Sequence, residues 1–217
     1  MNKRKISLSI LLCYLGILIF LGYILLAYGF NDPRKAGIVS GKFKNPNFSF
    51  NTWKIFFYLH IVTGAISLIL GPFQFLKKSR KKIHIHRWIG KIYVTSIFLS
   101  VPAGIYLAFY ATGGIGSTIG FLILDIFWFT TTFIGLKRIR ERNIQSHQRW
   151  MIRSYAVTLV FVTFRLVLPI VLLIHLGFAI GFPLSVIVSI IINLSLAERY
   201  LKKKRKKIAK PDYMIKM

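Results

Sequence analysis

Three ionisable side chains interrupt long apolar runs of this sequence: His60, Asp125 and Arg165. An imidazole, a carboxyl and a guanidinium can pass protons, pair as ions or grip a polar ligand. Inside hydrocarbon each is costly, so such groups turn toward protein or a wet cavity. At 100° per residue each heads a stripe of small or hydroxyl-bearing residues on one helix face. His60 aligns with Gly64, Ser67, Gly71 and Gln74, and Asp125 with Thr118 and Thr132. Arg165 aligns with His147, Ser154 and Thr158, and Asn193 with Ser189 and Ala197. A fifth stripe carries His86, Gly90, Tyr93, Ser100 and Gly104. Counted at ~1.5 Å per residue, His60, Asp125 and Arg165 lie about 10–15 Å below one membrane surface. That depth predicts one buried polar cluster of His60, Asp125, Arg165 and Asn193, with Asp125 as the charge partner of Arg165. The plainer account makes the pair a lock between two helices and the Gly, Ser and Thr members packing contacts.

A second layer holds Gln74, His86, His147 and Glu198 near the opposite surface. His86 and His147 sit at one level on two helices, where neutral imidazoles can serve as axial ligands of a b-type haem. Arg87 and Arg149 would then lie near its propionates. Interfacial hydrogen bonding explains the same histidines more simply. Asp125 and Glu198 belong to opposite surfaces and cannot act together as general acid and base. No CxxC, HExxH, GxSxG or phosphate-cradling glycine loop occurs. No metal site is assigned, since zinc needs about three or four converging ligands. Cys13 is the single cysteine, so no intrachain disulfide forms.

The elements that must carry these residues are membrane helices. The chain has 217 residues, 55% of them hydrophobic, which is more than a soluble domain of that size can bury. A helix of about 20 apolar residues crosses a core ~30 Å thick. Six stretches qualify, at about 6–29, 53–75, 88–110, 118–136, 151–175 and 177–197, and lipid allows them no structure but helix. The fold class is therefore all-α, a single bundle of six transmembrane helices over residues 1–200 with a basic tail at 201–217. Lys3-Arg4-Lys5 before the first run resembles a signal peptide, but about 24 apolar residues exceed its usual ~7–15, which predicts an uncleaved anchor.

Charge sets orientation. Thirty-one Lys and Arg face five Asp and Glu, for a net charge of +26. Most cluster on one side: 3–5, 77–87, 137–149 and 199–216. The other side holds Arg34, Lys35, Lys42, Lys44 and Lys54 around one loop. By the positive-inside rule both termini are cytoplasmic, and no nucleic-acid partner is needed to explain the charge. The run Lys202, Lys203, Lys204, Arg205, Lys206 and Lys207 is a topology anchor that can also attract anionic lipid headgroups, at ~1 kcal/mol per basic residue.

Several motifs run in order from Trp53 to Arg199. They are Gly71-Pro72-Phe73-Gln74-Phe75, His86-Arg87-Trp88-x-Gly90-x-x-Tyr93-Val94 and Thr112-Gly113-Gly114. His147-x-Arg149-Trp150-Met151-x-Arg153-Ser154-Tyr155, Thr163-x-Arg165-Leu166 and Asn193-Leu194-x-x-Ala197-Glu198 follow. Together they resemble the bacterial Domain of Unknown Function 2306 family of membrane proteins. The resemblance implies a bacterial plasma-membrane location and this topology, with His at position 60 and Arg at position 165 part of the pattern. Asp125 is not part of it, the basic loop lacks the usual Pro before His86, and aliphatic residues precede Asn193 where aromatic ones are usual. The functional expectation is a redox accessory handling haem or quinone through the His/Arg seam. The alternatives are a non-catalytic membrane scaffold or assembly factor, and a proton or small-solute transporter.

Overall fold

A computed structural model describes residues 8–35, 37–46, 48–75, 79 and 81–209, with backbone alone at 8–13, 37–38, 44 and 207–209. The described residues fold into helices and turns, without strands. The principal helices are α1 (Leu8–Ile24), α2 (Phe50–Phe75), α3 (Ile83–Ala108) and α4 (Ile115–Arg140). They continue with α5 (Ile144–Thr158), α6 (Val160–Leu172) and α7 (Gly177–Ala209). Four of them, α2, α3, α4 and α7, are long and apolar enough to cross a membrane, and α5 with α6 makes up to a fifth span. In the first stretch the apolar helix runs over Tyr14–Phe30, its last turn a π-helix at Leu25–Phe30. The basic residues at 3–5, 77–78, 80, 210 and 216 lie outside the described residues, as does the side chain of Lys207.

α4 occupies the centre and packs on α3, α5 and α7, while α2 pairs with α3 and α6 with α7. Small residues make this approach close: Gly71 of α2 takes the Tyr155 ring against its backbone, and Tyr155 donates to the Leu68 carbonyl at 3.2 Å. Asn143 caps α5 by accepting from the Ser146 N–H at 2.9 Å, which starts that helix sharply after the turn at Arg142. α1 packs at the edge, against α2 and α6 only among the labelled helices.

Two features differ from the sequence expectation. The fifth stretch is not one straight helix, because α5 and α6 meet at a 42° bend around Leu159. No proline is responsible. Thr158 donates to the Ser154 carbonyl at 3.0 Å in the turn before the break, and such back-bonding bends helices. The second difference is at the C-terminal side, where α7 runs on to Ala209, so 201–209 of the expected tail is helix. Leu201 is still buried there and Lys204 reaches Gln148 at 3.4 Å.

Candidate functional site

His60 stands on α2 facing α3, where Ser100 receives it. Its Nδ1 lies 3.0 Å from the Ser100 carbonyl and 3.1 Å from the Ser100 hydroxyl, which itself donates to the His60 carbonyl at 3.1 Å. That pattern assigns the hydrogen to Nδ1 and leaves Nε2 as an acceptor. Gly104, one turn further along α3, leaves room for what comes next. A Cβ there would lie 2.7 and 2.9 Å from the two Asp125 carboxyl oxygens and 3.0 Å from His60 Cε1. Asp125 is 4% exposed. A carboxyl from α4 and an imidazole from α2 thus share the notch that a missing side chain opens.

Arg165 points elsewhere. Its guanidinium lies 5.3 Å from the Tyr23 ring centre and 5.8 Å from that of Phe164, and it interacts with the Tyr28 hydroxyl. Ion pairs among the described residues are Arg138–Glu141 and Arg153–Glu198, so the expected Asp125–Arg165 pair is not formed. The bend at Leu159 supplies the reason: it carries α6 toward α1, while Asp125 stays against α3. Asn193 also stands apart from the other three. Its amide accepts from Thr163 at 3.0 Å and donates to the Ala156 carbonyl at 3.1 Å, tying α7 to α5 and α6.

His60, Asp125 and Arg165 nevertheless open on one cavity of about 210 Å³, below the ~300–1,000 Å³ common for drug-sized ligands. Its walls are apolar, aliphatic and aromatic, with Trp53, Phe57, Phe121, Phe161, Phe164 and Phe182 among them. Phe20, Leu21 and Ile24 of α1 close one side. At the end toward the 37–46 loop stands Lys42, which the sequence marks only as one more basic loop residue. Its ammonium donates to the Tyr110 carbonyl, lies 3.5 Å from the Thr112 hydroxyl and 5.8 Å from the Trp53 ring. Burial among these neutral groups pushes it from its usual 10.5 down to about 8. Nothing in the sequence separates Lys42 from its neighbour Lys44.

Beneath the cavity, buried hydroxyls fill the space between α3, α4 and α5. Tyr93 meets Ser154 at 2.9 Å and Thr158 at 3.2 Å, Thr132 meets Ser154 at 2.7 Å, and the Trp128 indole donates to Thr158 at 2.9 Å. All five are essentially inaccessible. Such a satisfied network fixes helix register.

The second predicted layer is spread over separate contacts. Gln74 abuts Gly90 on α3, and His86 is half-buried at the start of that helix. His147 Nδ1 lies 2.8 Å from the Gly135 carbonyl, closing the α4–α5 hairpin, and Glu198 pairs with Arg153 at 2.5 Å. Among the described residues no three of His, Cys, Asp and Glu converge as metal ligands would.

A family model described as "Predicted membrane protein (DUF2306)" matches residues 57–201. The match runs from inside α2 into α7 and takes in His60, Asp125 and Arg165, while α1, Lys42 and Trp53 precede it. No curated protein and no solved structure gives a match.

Proposed function

We propose, on the premise that this chain belongs to the DUF2306 family of predicted membrane proteins, that it binds a membrane-dissolved amphiphile in the cavity beside His60 and Asp125. One observation carries this reading: an apolar-walled space of about 210 Å³ into which three deep ionisable side chains open. Apolar walls favour a hydrocarbon or ring body by about 25 cal/mol per Å² buried, and the few polar groups fix its head. Such a ligand arrives from lipid past α1, the edge helix. The imidazole Nε2 and the neighbouring carboxyl can exchange a proton with a polar atom of the bound molecule, so the quinone form of a redox role is one case of this class. The haem form rests on His86 and His147 alone. Passage through the whole bundle is disfavoured by the packed hydroxyls beneath the cavity.

The test is a 12-carbon chain bearing a photoreactive diazirine, added to the full chain in zwitterionic-lipid nanodiscs. We expect saturable labelling of Phe57, Phe161 or their cavity neighbours. Gly64→Leu, which projects a side chain toward Phe161 without removing any polar group, should suppress it. Labelling confined to lipid-facing residues, unaffected by Gly64→Leu, would refute the reading.

The membrane arrangement belongs to the same proposal: six crossings of the plasma membrane, both termini cytoplasmic, and the lysines from Lys202 onward against anionic headgroups. Support comes from the one-sided basic residues. In a Cys13→Ser background, an impermeant maleimide should label a cysteine at position 43 from outside and one at position 203 only after permeabilisation. The reverse pattern would invert the assignment.

A further inference from the structure

The cavity carries a charge imbalance that a neutral ligand would leave in place. Lys42 and Arg165 both line it, and among the described residues the groups that meet them are neutral: a carbonyl, hydroxyls and aromatic faces. Neither is within ion-pair reach of a carboxylate among the described residues. Cations withdrawn from water without a counter-ion cost stability, and an incoming anion removes that cost. Asp125, the cavity's own carboxyl, lies instead in the Gly104 notch beside His60. An anion would be drawn to the two cations.

We propose that the cavity selects an amphiphile with an acidic head, a carboxylate or a phosphate, whose head lies between Lys42 and Arg165 and whose apolar body extends toward His60. This inference rests on the amphiphile reading above and adds to it the charge and direction of the ligand. Arg165 suits the role because a guanidinium makes paired hydrogen bonds to carboxylate or phosphate, and its stacking on Tyr23 holds the fork in place. Lys42 supplies a second, more mobile charge from the loop above. Because Lys42 precedes the family-matched region and Arg165 lies within it, this part of the chain completes a site the matched helices only half define.

The experiment compares photoreactive 12-carbon probes that differ only in head group, a carboxylate, a phosphate monoester and an alcohol, on the full chain in zwitterionic nanodiscs at pH 7. We expect both acids to label cavity residues at concentrations at least about tenfold below the alcohol. Between the two, the tighter one identifies the head. Lys42→Gln, in the short 3-10 helix Gly41–Lys44 outside the principal helices, should weaken the acids severalfold. Combined with Arg165→Gln it should abolish their advantage over the alcohol. Equal labelling by acid and alcohol, or an acid preference that survives both substitutions, overturns the acidic-head assignment while the amphiphile reading stands. Cavity labelling by none of the probes overturns both.

Discussion

Adding one methyl group at Gly104 tests the heart of the site. An alanine Cβ there would lie 2.7 and 2.9 Å from the Asp125 carboxyl oxygens and 3.0 Å from His60 Cε1, all tighter than van der Waals contact. Asp125 is buried on α4 and His60 is held by Ser100, so neither retreats freely. Overpacking of this kind costs about 1–3 kcal/mol. The matched control is Gly64→Ala, whose Cβ would meet nothing nearer than 3.8 Å and which changes helix propensity in the same direction. Unfolding of both proteins in mixed micelles, by far-ultraviolet circular dichroism, should therefore separate them by about 1–3 kcal/mol. Asp125→Ala removes the nearest atoms, so in the double variant most of the Gly104→Ala penalty should vanish, a coupling readable from the cycle. If Gly104→Ala matches Gly64→Ala, or if the penalty persists without the Asp125 carboxyl, the shared notch does not exist as described.

Three further outcomes follow from other contacts. Lys42, held near 8 when folded and 10.5 otherwise, lets the unfolded chain bind more protons between those values, so stability should rise from pH 8 to about 10.5. Its surroundings there are Trp53, Tyr110 and Thr112, with His60, Asp125 and Arg165 farther into the cavity; Lys42→Met should flatten this segment of the titration curve. Tyr93→Phe deletes the hydroxyl bonded to Ser154 and Thr158, and chemical denaturation should show a loss of about 1–2 kcal/mol, with coupling to Ser154→Ala. Glu198→Gln breaks the partly exposed pair with Arg153 and should cost no more than about 1 kcal/mol by thermal melting, since solvent screens it.

The ionisable residues were legible because each stands alone in an apolar run, where a charge has few reasons to be. Their meeting at one cavity agrees with their similar positions along the helices, since helix rise converts residue number directly into distance. Their partners were not legible. The bend at Leu159 comes where the Thr158 hydroxyl bonds a backbone carbonyl, a preference that apolar periodicity does not encode, and beyond it Arg165 lies at Tyr23 and Tyr28. Lys42 was hidden for another reason: loop residues have no period, so only the folded chain reveals that this one lies over the cavity. Asn193 illustrates the opposite error. Its polarity was visible, but two hydrogen bonds to neighbouring helices already satisfy it.

α7 has 33 residues and at ~1.5 Å each measures about 50 Å, well beyond the ~30 Å of a hydrocarbon core. In the membrane arrangement proposed above, with α7 upright from Gly177, the helix would leave the acyl region near Ala197. Lys202 and Lys203 would then stand near the phosphates and Lys206 about 6 Å beyond Lys202, most of a screening length of ~8 Å at physiological ionic strength. A straight helix so placed could not lay the run flat, and attraction to the bilayer would fall mainly to the turns nearest it.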